Sequence, residues 1–254
     1  MSGESTERPR VVSRAEWLRA RRVVHLLEAD AAHSTDEASA QRRRMPMVKM
    51  RDDYVFDGPN GVAALLDLFA NQSRLVVHHI AWSEQREEVG SPCSGLIESR
   101  EYGAQLDVMG CALAFVSRAP IGRLEAYRQR MEWCVPLYSS ARTTFHYDFG
   151  ATVDPSRGAT TYNYRDVTRL GGLWSGFTGD LPGASVFRRE GGEVYHHYSA
   201  YARGWRLGEQ VLQFVDRRLP RLRDESTGDE RSDAREHGLG ESWTSRVESA
   251  MIAG

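Results

Sequence analysis

The sequence has few cysteines, no long apolar run and almost no net charge. Only three of its 254 residues are cysteines, at positions 93, 111 and 134. This number is too small, and odd, for the disulfide framework of a secreted protein. No segment approaches 18 uninterrupted apolar residues, so we expect no transmembrane helix. The net charge of −2 gives no electrostatic indication of binding to nucleic acid or to an anionic membrane.

The composition is otherwise that of a soluble globular protein, with 41% apolar and 27% charged residues. The first residues are polar and lack the apolar core of a signal peptide, so we expect a cytoplasmic location. The sequence contains no nucleotide-cofactor motif. Because the net charge is close to zero, we expect no nucleic-acid or membrane partner. We expect a small-molecule substrate, and a homodimer is possible.

The residue pattern divides the chain into three parts. Residues 1–48 form a helical extension that begins at the capping box of Ser13 and Glu16 and ends before Pro46. Residues 49–219 form the main domain, with an inserted loop without regular structure at 150–180. Residues 220–254 are charged and rich in glycine and serine, which predicts a flexible tail.

Strands alternate with helices in the main domain. Apolar runs at 75–80 and 111–117 predict two buried strands, joined by a helix over 96–108 in a right-handed crossover, which makes them parallel neighbours. Residues 185–198 predict an antiparallel hairpin. These elements predict an α/β fold, a three-layer sandwich of the thioredoxin-like type.

The most informative motif is the turn Gly90-Ser91-Pro92-Cys93, between the first buried strand and a helix. A helix N-terminus stabilises a thiolate, which makes this layout suitable for thiol chemistry. Dithiol exchange needs two sulfurs, one that attacks and one that resolves. The position of the attacking sulfur is occupied by Gly90.

Several segments resemble a bacterial family of thioredoxin-like proteins of unknown function, often labelled predicted dithiol–disulfide oxidoreductases. The resemblance implies a thioredoxin-like fold and extends over roughly residues 11–219. The segments that carry it are VVSRAEW (11–17), DYVFDGPNG (53–61), LVVHH (75–79), VSRAP (116–120), YDFG (147–150), LPGASVF (181–187) and YSAYARG (198–204).

The chain departs from the family pattern at the active turn and at three histidines. At the active turn, the family pattern resembles Cys-Pro-Ser-Cys-Ser, whereas residues 90–94 of this chain are Gly-Ser-Pro-Cys-Ser. Only the second cysteine of the pattern, Cys93, is present. Three histidines, His78, His146 and His197, stand where the family pattern has other residues. We therefore expect a pocket with different chemistry from that of a dithiol exchanger.

We expect Cys93 and several histidines to converge at the carboxyl ends of the strands, where open α/β sheets hold ligands. The predicted metal ligands are Cys93, His79, His146 and His196, with His78 and His197 as alternates because neighbouring strand residues face opposite ways. A thiolate with imidazoles suits copper, iron or zinc.

The remaining predicted site residues surround this point. Cys93, His146, Tyr198 and Arg203 are assigned to catalysis, and Trp82, Arg118, Tyr162 and Trp174 to substrate binding. Long loops without regular structure are often functional, so we expect the aromatic residues of the inserted loop to form a lid.

Three functions fit these residues. The first is a thioredoxin-fold enzyme repurposed for small-molecule oxidation, oxygenation or bond cleavage, with or without a metal. The second is a thiol redox protein or peroxidase that uses Cys93 alone. The third is a non-catalytic ligand-binding module. The missing first cysteine favours the first function.

Overall fold

The computed structural model describes residues 9–51, 53–84, 86–201, 208, 211–212 and 214–215. Contacts divide the chain into two units, and the second, Arg42–Leu219, contains the sheets. The described part of the first unit consists mainly of helix α1, which spans Arg14–Arg43 and contains no buried residue. Among the described residues, none of the helices combines the length and the apolar character that a membrane span requires.

The main sheet has eight strands in the order β1-β14-β13-β4-β7-β8-β2-β3. Three further two-stranded sheets pair β5 with β6, β9 with β12, and β10 with β11. The fourteen strands are β1 (Val48–Lys49), β2 (Val55–Gly58), β3 (Gly61–Ala64), β4 (Arg74–His79), β5 (Trp82–Ser83), β6 (Glu88–Val89), β7 (Cys111–Ser117), β8 (Leu137–Ser139), β9 (Thr152–Val153), β10 (Thr161–Tyr162), β11 (Arg165–Asp166), β12 (Gly179–Asp180), β13 (Gly183–Glu190) and β14 (Glu193–Ala200).

Strands β4 and β7 are parallel neighbours, as predicted, with Val76 opposite Leu113. The hairpin of β13 and β14 adds antiparallel strands on the other side of β4. The order β14-β13-β4-β7, with one parallel pair and one terminal hairpin, gives the chain its thioredoxin-like α/β fold. The remaining helices are α2 (Ser91–Glu98), α3 (Arg100–Val108), α4 (Ile121–Arg130) and α5 (Phe145–Asp148).

The prediction of a single helix over 96–108 is wrong, because the helix is interrupted at Ser99. This residue adopts an extended conformation, with φ −75° and ψ 91°, and its side chain accepts a hydrogen bond from the Tyr102 N–H. Serine is a favoured N-cap because its oxygen satisfies a free N–H of the first turn. One helix therefore ends where the next begins.

The inserted segment 150–180 is also more ordered than predicted. It contains the strands β9 to β12 and three short 3₁₀ turns, two of which are capped by the side chains of Asp154 and Asp166. Strand β9 pairs with β12, and Leu181 donates a backbone hydrogen bond to Ala151. The segment is thus fixed to the end of the main sheet.

The apolar core lies in two clusters, one on each face of the main sheet. Val76 and Ile80 of the β4 region belong to the first cluster, whereas Leu75 and Val77 belong to the second. This division follows from the alternation of side chains along a strand. We call the two sides the thiol face, which contains Cys93, and the histidine face, which contains the rings around His79.

Candidate functional site

Cys93 lies in the first turn of α2, three residues after the N-cap residue Gly90. Its N–H donates to the Gly90 carbonyl at 2.9 Å. The residue is only 7% exposed and packs among apolar side chains of the thiol face, including Ile80 and Trp82. Burial raises the pKa of the Cys93 thiol, with a smaller opposing effect from the backbone of Ala81. The thiol is therefore protonated at neutral pH, which makes it a poor nucleophile.

The three cysteines are all free, so Cys93 forms no disulfide in this structure. Cys111 is buried in strand β7, and burial raises its thiol pKa to about 12. Cys134 is exposed. The position three residues before Cys93, where a Cys-x-x-Cys turn has its first sulfur, is Gly90.

The two adjacent histidines of β4 face opposite ways, as the alternation of a strand predicts. The His78 Nε2 forms a hydrogen bond with the Tyr102 hydroxyl at 2.7 Å, and its ring stacks on Phe115 of the thiol face. Burial lowers the pKa of His78 to about 3. His78 is thus a neutral, buried residue at neutral pH.

His79 belongs to a hydrogen-bonded chain on the histidine face. Its Nε2 is 2.9 Å from the Ser185 Oγ, which is 2.8 Å from the Ser199 Oγ, and that atom is 2.8 Å from the His196 Nε2. Burial is the main cause that lowers the pKa of His79 and of His196. The chain links two imidazoles through two serine hydroxyls.

His146 lies next to this chain, with its ring edge-on to His79 at a centroid distance of 5.1 Å. Its Nδ1 forms a hydrogen bond with the Ser140 Oγ at 2.7 Å, whereas its Nε2 is buried without a well-formed hydrogen bond in the described structure. Burial, and to a smaller extent the nearby Arg118, lower the pKa of His146 to about 3 against an opposing effect of the Val116 backbone. His146 is therefore neutral as well.

The structure does not bring the four predicted metal ligands together. Cys93 lies on the thiol face, whereas His79, His146 and His196 contact aromatic rings of the histidine face. Among the described residues, no group of three or more His, Cys, Asp and Glu side chains could hold a metal ion. The expected convergence is wrong because the sheet lies between the thiol and these imidazoles. The alternate ligand His197 packs on Phe214.

Arg118, at the carboxyl end of β7, forms an ion pair with Asp180 at 3.0 Å. Asp180 also accepts a hydrogen bond from Thr152 at 2.7 Å, and burial is the main cause that raises its pKa. The Arg118 guanidinium lies over the ring of Tyr147 at 4.6 Å, and Arg157 lies over the same ring at 5.5 Å. Arg118 therefore fixes the inserted segment to the sheet and supports Tyr147.

A pocket of about 320 Å³ lies between α5, the inserted segment and the end of β14. This volume is at the lower end of the range typical of ligand pockets. We call it the tyrosine pocket. It is lined by Tyr147, Asp148, Phe149, Gly150, Thr152, Gly158, Ala159, Thr160, Thr161, Asn163, Tyr164 and Tyr201.

The predicted substrate residues Tyr162 and Trp174 form an aromatic cluster that contacts Tyr201 of the pocket lining. Their ring centroids are 5.9 Å apart, and Tyr162 is 5.6 Å from Tyr201. The Tyr162 hydroxyl donates to the Pro182 carbonyl at 2.7 Å. Both residues support the pocket, but neither is among its lining residues.

The last three predicted residues lie elsewhere. Trp82 is buried on the thiol face against Tyr127, with ring centroids 5.7 Å apart. Tyr198 stacks on Phe214 at 4.5 Å. Arg203 lies outside the described residues.

Tyr164 is one of the aromatic residues of the inserted loop that were predicted to form a lid, and it lines the pocket. Tyr201 was not predicted as a site residue. A usable signal was present, because Tyr147–Gly150 and Tyr201 all lie in segments that carry the family resemblance.

Solved structures similar to this chain include three peroxiredoxins. Xanthomonas campestris peroxiredoxin Q is 12% identical, with 68% of this chain and 96% of that chain covered and a TM-score of 0.48. Mycobacterium tuberculosis BcpB is 11% identical, with 67% and 95% covered and a TM-score of 0.47. Arenicola marina peroxiredoxin 6 is 11% identical, with 68% and 72% covered and a TM-score of 0.45.

No curated protein matches this chain significantly in sequence. Residues 6–248, almost the whole chain, match the family described as bacterial protein of unknown function, DUF899. The chain therefore belongs to the DUF899 family.

Proposed function

We propose that this chain uses its thioredoxin-like scaffold to bind a small organic molecule in the tyrosine pocket and to act on it, without dithiol exchange. The observation that carries the proposal is the pocket itself, whose walls come from α5, the inserted segment and Tyr201. Concave sites with aromatic walls and a few polar groups are typical of small-molecule binding.

The polar groups of the pocket are fixed from outside. The Asp148 Oδ2 accepts hydrogen bonds from Arg51 at 2.9 Å, Tyr54 at 2.7 Å and Thr144 at 2.6 Å. The Tyr201 hydroxyl donates to the Phe149 carbonyl. Because these groups are held before a ligand arrives, binding requires little ordering of side chains.

The burial of Cys93 supports the absence of dithiol exchange. A protonated thiol with 7% exposure is a slow partner for an external disulfide. The predicted reaction classes, oxidation, oxygenation and bond cleavage, stay predictions.

The test is a titration of ¹⁵N-labelled protein with a library of small organic molecules. We expect bound compounds to shift the amide signals of residues 147–150 and 158–164. The proposal fails if no compound binds, or if the shifted signals instead surround Cys93 and Leu96.

A second candidate function is peroxide reduction by Cys93 alone, which its position in the first turn of α2 favours. The thiolate would attack one peroxide oxygen, form a sulfenic acid and release an alcohol or water. Sulfenic-acid trapping after peroxide treatment tests it, with the exposed Cys134 as the internal control. Trapping at Cys93 faster than at Cys134 would support this candidate against the first.

Metal assistance by copper, iron or zinc is a separate proposal. Among the described residues, no group of three or more His, Cys, Asp and Glu side chains supports it. Element analysis of the purified protein tests it. A stoichiometric metal that is lost in His146→Ala would support it.

A further inference from the structure

We infer that the tyrosine pocket selects an uncharged molecule with a planar aromatic ring, and that Tyr164 is the residue that selects the ring. This inference rests on the proposed function and names the class of ligand. Three features of the pocket carry it: the backbone of the Tyr164 turn, the opposing aromatic wall and the charge of the lining.

Tyr164 occupies a backbone conformation that suits glycine. Strands β10 and β11 pair Tyr162 with Arg165, which leaves Asn163 and Tyr164 as a two-residue turn. Both have positive φ values, 49° for Asn163 and 61° for Tyr164. Such turns favour Asn followed by Gly, because a side chain at the second position is strained. The chain keeps a bulky tyrosine there.

Core packing does not account for this tyrosine, since it is 72% exposed. Its hydroxyl donates to the Ser199 carbonyl at 2.9 Å, and its ring lies edge-on to Tyr201 at 5.4 Å. These two contacts fix the direction of the side chain and leave most of its surface uncovered. Strained residues that are held by their surroundings are concentrated at ligand sites.

The wall next to Tyr164 is aromatic and rigid. The Tyr201 ring makes edge-to-face contacts with Tyr162 and with Tyr164, and its hydroxyl donates a hydrogen bond to the Phe149 carbonyl. Tyr147 and Phe149 add further aromatic residues to the lining. Aromatic side chains prefer stacked or edge-to-face contacts with other rings, which favours a flat aromatic ligand over a saturated one of equal size.

The lining carries little net charge. Asp148 is the only carboxylate among the lining residues that the structure describes, and the Arg51 guanidinium already lies 2.9 Å from the Asp148 Oδ2. No lysine, arginine or histidine is among the lining residues that the structure describes. The pocket therefore suits an uncharged ligand, and the side chains of Thr160, Thr161 and Asn163 suit a hydroxyl or carbonyl substituent.

The test compares 2-naphthol with decahydro-2-naphthol, its saturated counterpart, on the full chain at pH 7. The readouts are dissociation constants from the amide shifts of Gly150 and Thr161, and the thermal midpoint. We expect the wild-type protein to bind 2-naphthol about three- to tenfold more tightly. In Tyr164→Phe, which keeps the ring, the preference should remain.

In Tyr164→Gly, the preference should fall to about half of its wild-type value or less, because only the Tyr201, Tyr147 and Phe149 rings remain. The thermal midpoint should change by less than about 4 °C, since relief of the strained turn offsets the lost hydrogen bond to the Ser199 carbonyl. Equal affinities in the wild type, or an unchanged preference in Tyr164→Gly, would overturn the inference and leave the proposed function standing. Failure of both probes to bind also overturns the inference about the ligand class. The library titration decides separately whether the pocket binds any small molecule.

Discussion

The two faces of strand β4 hold similar polar residues in different surroundings. On the thiol face, Cys93 lies among apolar side chains, and His78 has one hydrogen-bond partner, Tyr102. On the histidine face, His79 is linked through Ser185 and Ser199 to a second imidazole. The difference shows that the thiol, the most visible motif of the sequence, is the more isolated group, whereas the histidines share a polar network.

Acid should destabilise both faces, and this is the largest effect we expect. The pKa of His78 and of His146 is lowered to about 3, and that of His79 is also lowered, in each case mainly by burial. The unfolded chain therefore binds protons below about pH 6.5 that the folded chain excludes. From pH 7.5 to 5.5, the free energy of unfolding should fall by about 4 kcal/mol, measured by urea unfolding.

The double variant His78→Phe/Tyr102→Phe separates the faces. It removes one titrating group and its partner together, which avoids an unpaired hydroxyl. We expect the acid-induced loss to shrink by about a third relative to the wild type. A free energy of unfolding that does not change between pH 7.5 and 5.5 would contradict the buried neutral histidines.

Loss of the serine link should weaken the histidine face alone. Ser185→Ala removes the partner of the His79 Nε2 and of Ser199, and His79 already has an unpartnered Nδ1 among the described residues. The free energy of unfolding should fall by about 2–3 kcal/mol.

The matched control is Ser139→Ala, an equally buried serine whose Oγ accepts one longer hydrogen bond, 3.3 Å, from the Ala141 N–H. It should lose about 1 kcal/mol. Equal losses in the two variants would mean that the serine link has no special role.

Removal of the thiol should have the smallest effect. Cys93→Ala deletes one sulfur atom from an apolar cluster, so the free energy of unfolding should fall by about 1 kcal/mol. Ligand affinity in the tyrosine pocket should change less than twofold, because Cys93 is not among its lining residues. A tenfold loss of affinity, measured by the same amide titration, would place the thiol at the functional site after all.

The residue pattern along single strands was enough to predict the centre of the main sheet. The alternation of a strand was enough to place His78 and His79 on opposite faces, and the apolar runs predicted the parallel pair β4 and β7. The rule fails at the hairpin. The register shifts between Val186 and Phe187, which pair with Tyr198 and His196, so His197 is an extra residue in β14. Nothing in the residue types marks that position.

The candidate site was harder to predict because its residues meet over long distances in the sequence. Tyr164 and Tyr201 are joined by the fold of the inserted segment, whose short strands and 3₁₀ turns have no strong periodicity. The predicted convergence of Cys93 with the histidines failed for the opposite reason. Residues near one edge of a sheet were expected to meet, but the sheet itself separates its two faces.

Gly90 occupies the N-cap of α2 without needing to be glycine. Its φ of −56° and ψ of 136° are open to every residue type. A cysteine at this position would stand three residues before Cys93, which is the spacing of a Cys-x-x-Cys turn. The backbone angles of the helix start therefore do not themselves exclude a second thiol.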